Sequence, residues 1–202
     1  DNTGFVSAAG DVNKDGFEDL LIGAPGRGNG GEAYVIQGNN SIPANLDLST
    51  LDGNNGNIFR NDATYSYAGA KLANLGDING DGFADFALSS PAVSGYTGET
   101  YIIFGSSSIT PSTIFDLSSL DGNNGFALND ANTEDSSKLS VSGAGDINGD
   151  GYQDILIGAP FATPDGFKSG EAYVVYGGTQ ISASSTFELS SLNGSNGFTV
   201  FG

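Results

Sequence analysis

The chain has 202 residues, of which 24 are Asp or Glu and only 6 are Lys or Arg, and it contains no Cys, His, Met or Trp. The absence of Cys and His excludes disulfides, thiol nucleophiles, imidazole bases and ordinary zinc or copper sites. A formal net charge of −18 disfavours nucleic acid or an anionic membrane as a partner, whereas abundant carboxylates suit hard cations, which prefer oxygen ligands.

Short apolar runs, rich in β-branched and aromatic residues, recur in the same order three times. The first unit passes through residues 6–8, an acidic loop at 11–19, and then 20–25, 33–36, 46–53 and 58–59. The second passes through 71–73, the acidic loop 77–85, 86–91, 100–104, 115–122 and 126–128. The third passes through 139–141, the acidic loop 146–154, 155–160, 172–176, 187–194 and 198–200. Runs of this length, bounded by Gly, Asn, Ser and Pro, predict β-strands.

Four short strands in each unit predict a small antiparallel sheet repeated in tandem, as in the blades of a β-propeller. We therefore expect an all-β chain with one propeller-type repeat region over residues 1–202, and blades at about 1–62, 63–130 and 131–202. An all-β sandwich is the alternative. Glu32, Glu99 and Glu171 recur at the start of the third strand, which indicates a structural bond repeated in each unit.

The acidic loops share the pattern Asp-x-Asn-x-Asp-Gly-x-x-Asp and begin at Asp11, Asp77 and Asp146. Alternate side chains of a tight turn can converge on one ion, and Gly at position 6 permits the bend that turns the carbonyl of position 7 towards it. Carboxylates this close repel one another strongly without a cation. Ca²⁺ fits better than Mg²⁺, because its larger and more flexible shell accepts six or more oxygens.

Two other readings of the loops are possible. An EF-hand needs a bidentate Glu at position 12, where these loops have an aliphatic residue, and their fourth carboxylate stands instead at position 9. Asp, Asn and Gly also populate ordinary solvated turns. Three copies keep the same four oxygen positions while position 8 varies among Glu18, Ala84 and Gln153, which favours metal binding over a simple turn.

In these loops, and in the Gly-Ala-Pro sequences at 23–25 and 158–160, the chain resembles the FG-GAP repeat family, found in the N-terminal propeller of integrin alpha chains and in many bacterial surface proteins. The second unit has Ser-Ser-Pro at 89–91 instead. The resemblance covers nearly the whole chain and implies a β-propeller whose blades each hold one Ca²⁺ in the loop between their first two strands. The implied ligands are four side chains and the carbonyl of position 7. They are Asp11, Asn13, Asp15, Phe17 and Asp19; Asp77, Asn79, Asp81, Phe83 and Asp85; and Asp146, Asn148, Asp150, Tyr152 and Asp154.

Three blades do not close a propeller ring, which typically contains four to eight. Two blade faces would then remain exposed as large apolar patches. We therefore expect the chain to assemble with copies of itself or with neighbouring repeats. Because it starts at Asp1 and contains no Met, we also expect a processed product or a fragment.

The repeats, the acidity and the loops predict a non-enzymatic, calcium-binding structural or adhesion module at the cell surface, with a surface protein or a glycan as partner. Extracellular calcium, at millimolar levels, fills sites with dissociation constants of about 10⁻⁴ to 10⁻³ M. A lectin-like module is the alternative, with aromatic side chains near loops stacking on sugar rings. These candidates are Tyr65, Tyr67, Tyr96 and Phe161. A hydrolase using a pair such as Glu134 and Asp135 is a third hypothesis, which abundant carboxylates make unspecific.

Overall fold

The structure is a computed structural model, and it describes residues 4–61, 66–91, 99–107, 109, 113–129, 139–160, 162, 169–181 and 184–201. These residues form fourteen β-strands in three sheets, with three short 3₁₀ turns. The all-β prediction is confirmed, and each of the three units builds its own sheet.

The first sheet is a meander of four antiparallel strands with one added strand. Its order is β1 (Phe5–Gly10), β2 (Asp19–Ala24), β3 (Glu32–Ile36) and β4 (Gly56–Arg60). The fifth strand, β8 (Ile114–Asp116), comes from the second unit and pairs in parallel with β4. The outer edge of the first sheet therefore pairs with a strand that lies far along the chain.

The second sheet repeats this plan. Its four antiparallel strands are β5 (Lys71–Gly76), β6 (Asp85–Ser90), β7 (Glu99–Ile103) and β9 (Gly125–Asn129). A strand from the third unit, β13 (Thr186–Glu188), pairs in parallel with β9. In both cases, a short strand from the following unit thus extends the outer edge of the preceding sheet.

The third sheet has the same meander without an added strand among the described residues. It consists of β10 (Ser140–Gly145), β11 (Asp154–Ala159), β12 (Glu171–Val175) and β14 (Gly197–Phe201). Its outer strand, β14, pairs with β12 on one side only.

The sheets stack face to face, and two main apolar clusters lie between them. Leu21 of the first sheet packs in one cluster with Phe86 and Leu88 of the second. Ala87, which points to the opposite face of β6, lies in the other cluster with Ile155 of the third sheet. Every residue of β6 is buried, because the middle sheet is covered on both faces.

Candidate metal centres

Each acidic loop joins the first two strands of its sheet, between β1 and β2, β5 and β6, and β10 and β11. A glycine with positive φ ends the first strand before every loop: Gly10 at 80°, Gly76 at 72° and Gly145 at 74°. The strand register shifts at the same three glycines. These bulges turn the chain out of the sheet. A residue with a side chain at the glycine position would resist the positive φ that the turn requires.

The first Asp of each loop holds the turn closed through backbone donors. In the first loop, the Asp15 and Gly16 N–H groups donate to the Asp11 carboxylate at 3.0 and 2.9 Å. The second and third loops repeat both bonds, at 3.1 and 2.8 Å to Asp77 and at 3.1 and 2.9 Å to Asp146. The Asp at position 1 therefore accepts the same pair of loop N–H groups in all three repeats.

Positions 3 and 5 are brought together by their own side chains. The Asn13 amide donates to Asp15 Oδ2 at 3.0 Å, while Asn13 Oδ1 accepts the Asp15 N–H at 3.0 Å. The Phe17 N–H donates to the other oxygen of Asp15 at 2.9 Å. Equivalent bonds recur in the second and third loops. The structure thus places the first three predicted ligands of each loop around one turn.

The Gly at position 6 adopts the conformation that the sequence predicts. Its φ is 90° at Gly16, 87° at Gly82 and 94° at Gly151, a region that side chains disfavour. The role of the position 7 carbonyl stays a prediction.

The Asp at position 9 is fully buried in every repeat and lies at the start of the second strand. Asp85, for example, accepts the Ile78 N–H at 2.9 Å and the Gly105 N–H at 2.9 Å. Asp19 and Asp154 bind the corresponding two N–H groups of their own repeats. This carboxylate links the loop to the residues that follow the third strand.

Burial disfavours the ionised form of the position 9 carboxylates in the first two loops. Burial is the largest cause that raises the pKa of Asp85, which lies at about 8 after the lowering effect of its two N–H donors and the smaller raising effect of the Asp81 and Asp77 carboxylates. Burial likewise raises the pKa of Asp19, with a smaller contribution from Asp15 and Asp11. A cation at the loop would favour the ionised forms of these groups.

The donor set of each loop suits a hard cation. Carboxylate and amide oxygens are the ligand types that Ca²⁺ prefers, and each loop gathers four of these side chains within nine residues. Within the described ranges, no three His, Cys, Asp or Glu side chains form a preassembled metal cluster. The loop carboxylates instead accept the loop's own N–H groups, so the full ligand set remains a proposal.

A glycine after the third strand was not recognised as part of the site from the sequence. Gly38, Gly105 and Gly177 donate their N–H groups to the position 9 Asp at 2.7, 2.9 and 2.9 Å. A Cβ at Gly105 would lie 2.3 Å from the Ala84 carbonyl oxygen, so a side chain does not fit. The sequence signal that could have revealed this role is the recurrence of Gly two residues after the third strand in all three repeats.

The recurring Glu of the third strand makes the structural bond that its repetition indicates. The Tyr34 hydroxyl donates to Glu32, the Tyr101 hydroxyl to Glu99, and the Tyr173 hydroxyl to Glu171. Burial raises the pKa of Tyr34 and of Tyr101 above the usual range, and the Glu carboxylates reinforce this shift. Tyr34 and Tyr101 therefore remain protonated hydrogen-bond donors at neutral pH.

Of the residues considered for sugar binding or hydrolysis, the structure describes Tyr67 alone. Its side chain is 43% exposed and its backbone has a φ of 57°. The others lie outside the described residues. They are Tyr65, Tyr96, Phe161, Glu134 and Asp135.

A family model described as "FG-GAP repeat" matches residues 3–36, 68–103 and 139–175. Each matched segment contains the acidic loop together with the three strands around it. Across the described residues, no helix has the length and apolar character needed to cross a membrane.

Several curated proteins are similar over most of the chain. Phosphatidylinositol-glycan-specific phospholipase D of Bos taurus is 30% identical over 203 residues, covering 94% of this chain and 22% of that protein. Integrin alpha-4 of Xenopus laevis is 33% identical over 157 residues, covering 77% of this chain and 14% of that protein. Integrin alpha ina-1 of Caenorhabditis elegans is 30% identical over 165 residues, covering 78% and 14%. The chain thus spans less than a quarter of the length of these relatives.

Proposed function

The chain belongs to the FG-GAP repeat family, and from this we propose that it is a non-enzymatic structural or adhesion module, stabilised by one Ca²⁺ in each of its three repeats. We place its action outside the cell, in assembly with itself or with neighbouring repeats. The observation that carries the proposal is the loop geometry: three acidic loops keep the same hydrogen bonds to the same positions, although the residues between them vary.

Calcium binding follows from the charge that each loop concentrates. Three carboxylates and one amide lie within nine residues, and one of the carboxylates is fully buried. Bringing like charges together costs free energy, because the carboxylates repel one another. A divalent cation bound among them replaces this repulsion with attraction. Sites built on open loops of this type bind weakly enough to require millimolar calcium, as is found outside cells.

The non-enzymatic role is supported by the side chains available to the chain. It has no His or Cys, which supply most general bases and thiol nucleophiles. Its distinctive carboxylates accept backbone N–H groups in the loops, as a structural site requires. The match to this chain covers less than a quarter of the length of the phospholipases that it resembles. Their named activity is therefore not assigned to this chain.

An adhesive role is supported by the similarity to integrin alpha chains and by the apolar faces that the outer sheets leave exposed. A glycan-binding role is the second candidate, because Tyr67 presents an exposed aromatic ring on a constrained backbone. A glycan array separates the two: binding abolished by Tyr67→Ala would favour the sugar.

Isothermal titration with Ca²⁺ tests the metal proposal. We expect three bound ions per chain and two in Asp81→Ala, which removes one predicted ligand from the second loop. The matched control is Glu18→Gln, at exposed position 8 of the first loop, which should keep all three. Absence of calcium binding by the unmodified chain at millimolar concentrations would overturn the proposal.

A further inference from the structure

Successive acidic loops are hydrogen-bonded to one another through their main chains. The Ala84 N–H, at position 8 of the second loop, donates to the Asp11 carbonyl of the first loop at 3.1 Å. The Gln153 N–H, at position 8 of the third loop, donates to the Asp77 carbonyl of the second loop at 3.3 Å. Each loop is therefore held against the next one, which brings side chains of neighbouring loops into contact.

Position 4 of each of the first two loops contacts the aromatic residue at position 7 of the following loop. The Lys14 ammonium lies over the Phe83 ring, 5.3 Å from its centroid. At the next junction, a Cβ on Gly80 would lie 2.3 Å from Cε1 of Tyr152, so the tyrosine ring lies directly against this glycine. Because Gly80 has no side chain, position 4 brings a charge to the following loop at the first junction and not at the second.

Lys14 has a backbone conformation that glycine adopts in the other two repeats. Its φ is 60°, and the corresponding Gly80 and Gly149 have φ values of 79° and 77°. A side chain is disfavoured in this left-handed region, because its Cβ approaches the following carbonyl oxygen. The first loop thus keeps a lysine where the backbone favours glycine, and strain of this kind is often found where a side chain has a function.

The Lys14 ammonium also reaches the turn of the second loop. A Cβ on Gly82, at position 6 of that loop, would lie 2.3 Å from Lys14 Nζ, so the ammonium stands against this glycine. The Gly82 N–H donates to Asp77 Oδ2 at 2.8 Å. The next N–H, that of Phe83, donates to Asp81 Oδ1 at 2.9 Å. Lys14 therefore places its positive charge beside the backbone that binds two predicted calcium ligands of the second loop.

The charge of Lys14 acts on the second loop through space. Among the described residues, Lys14 forms no direct ion pair with a carboxylate. Its side chain is exposed, so solvent and salt weaken its interaction with nearby charges. Its effect on a neighbouring cation site should therefore be moderate in size and sensitive to salt.

We propose that Lys14 is a counter-ion for the second loop and lowers the calcium affinity of that loop, so that the three sites are not equivalent. Without calcium, the ammonium offsets part of the repulsion among the carboxylates of the second loop. With calcium bound, the same ammonium repels the divalent cation. The second loop therefore depends less on calcium than it would with glycine at position 4 of the first loop. The proposal rests on calcium binding by the loops, which is part of the proposed function.

Calcium titration of Lys14→Gln is the first test. Removal of the ammonium should increase the affinity of one site about three- to tenfold, as expected for a unit charge near a divalent ion at an exposed surface. Lys14→Arg keeps the charge and should leave the affinities unchanged. Arg27→Gln is the matched control, because it removes the same charge from the turn after β2, at the end of that strand remote from its loop. No increase in Lys14→Gln, or an equal increase in Arg27→Gln, would overturn the proposal.

A double variant assigns the effect to the second loop. Asp81→Ala removes a predicted ligand from this loop and should leave the sites of the first and third loops. Adding Lys14→Gln to Asp81→Ala should then change neither remaining affinity by more than about twofold. If the full increase persists in this background, Lys14 acts on its own loop, and the proposal is wrong.

Stability without calcium gives a readout that does not depend on the metal. Because the ammonium offsets repulsion in the second loop, Lys14→Gln should melt at a lower temperature than Lys14→Arg in EDTA. Both variants keep a side chain at a φ of 60°, so backbone strain does not contribute to the difference. The difference should shrink as salt is raised, because salt screens charges. Equal melting temperatures of the two variants in EDTA would contradict the counter-ion role.

The two proposals fail in distinguishable ways. An unmodified chain that binds no calcium overturns the proposed function, and the lowering of affinity by Lys14 with it. Three bound ions whose affinities do not respond to Lys14→Gln overturn the role of Lys14 alone.

Discussion

Calcium removal should lower the thermal stability of the chain. With a chelator present, each loop keeps its three carboxylates within nine residues and loses the cation that offsets their repulsion. Because the position 9 Asp also anchors the loop to the end of the third strand, the effect reaches the sheet and not just the turn. The melting temperature should therefore fall when calcium is withdrawn.

The size of the effect follows from mass action. A site with a dissociation constant of about 10⁻⁴ to 10⁻³ M, in about 1 mM calcium, stabilises the folded state by about 0.4–1.4 kcal/mol. Three sites together contribute about 1–4 kcal/mol to the free energy of unfolding. For a chain of this size, each kcal/mol changes the melting temperature by about 2–4 °C, so chelation should lower it by about 2–16 °C.

Circular dichroism melts with calcium and with EDTA provide the assay. A variant that lacks the position 5 carboxylate in all three loops (Asp15→Ala, Asp81→Ala, Asp150→Ala) is the control and should melt at one temperature in both buffers. Identical melts of the unmodified chain with and without calcium would refute the reasoning, since bound ions cannot leave the stability unchanged.

Three further predictions concern the groups that support the loops. Gly105→Ala should destabilise the chain by about 2–3 kcal/mol in urea melts, because its Cβ would lie 2.3 Å from the Ala84 carbonyl oxygen. The control is Gly4→Ala, whose Cβ has no neighbour within 4 Å and which should cost under about 0.5 kcal/mol. Asp85→Ala should lower the free energy of unfolding by about 2–4 kcal/mol even in EDTA, because it leaves two buried N–H groups without an acceptor. Equal stabilities of Asp85→Ala and Asp81→Ala in EDTA would be inconsistent with this. Tyr101→Phe should cost about 1–2 kcal/mol by chemical denaturation, because the hydroxyl donates to Glu99 and accepts from Asn61 at 2.7 Å; no loss would show that these bonds do not contribute.

Local features of the chain were predictable from the sequence. The strands around each loop have short β-branched and aromatic runs bounded by turn residues, and the three copies reinforce one another. The bend at Gly16 and its counterparts was predictable because a tight turn there demands positive φ. The fixed spacing of Asp and Asn also predicts calcium ligation by the loops, which stays a prediction.

Contacts between units were not predictable in the same way. The strand β8 has three residues and pairs in parallel with β4, more than fifty residues earlier, so no local pattern marks it. The role of Gly105 depends on a carbonyl from the loop that lies close to it in space and not in sequence. The difference in exposure between Ile147 and Val12 arises from what covers each of them, and both occupy the same position in the repeat.

A crystal structure of the chain grown in calcium, with anomalous diffraction data, tests the central claim most directly. The account predicts three anomalous peaks, one in each acidic loop, each surrounded by oxygens from positions 1, 3, 5, 7 and 9. Water with no anomalous signal in all three loops, at millimolar calcium, would contradict it.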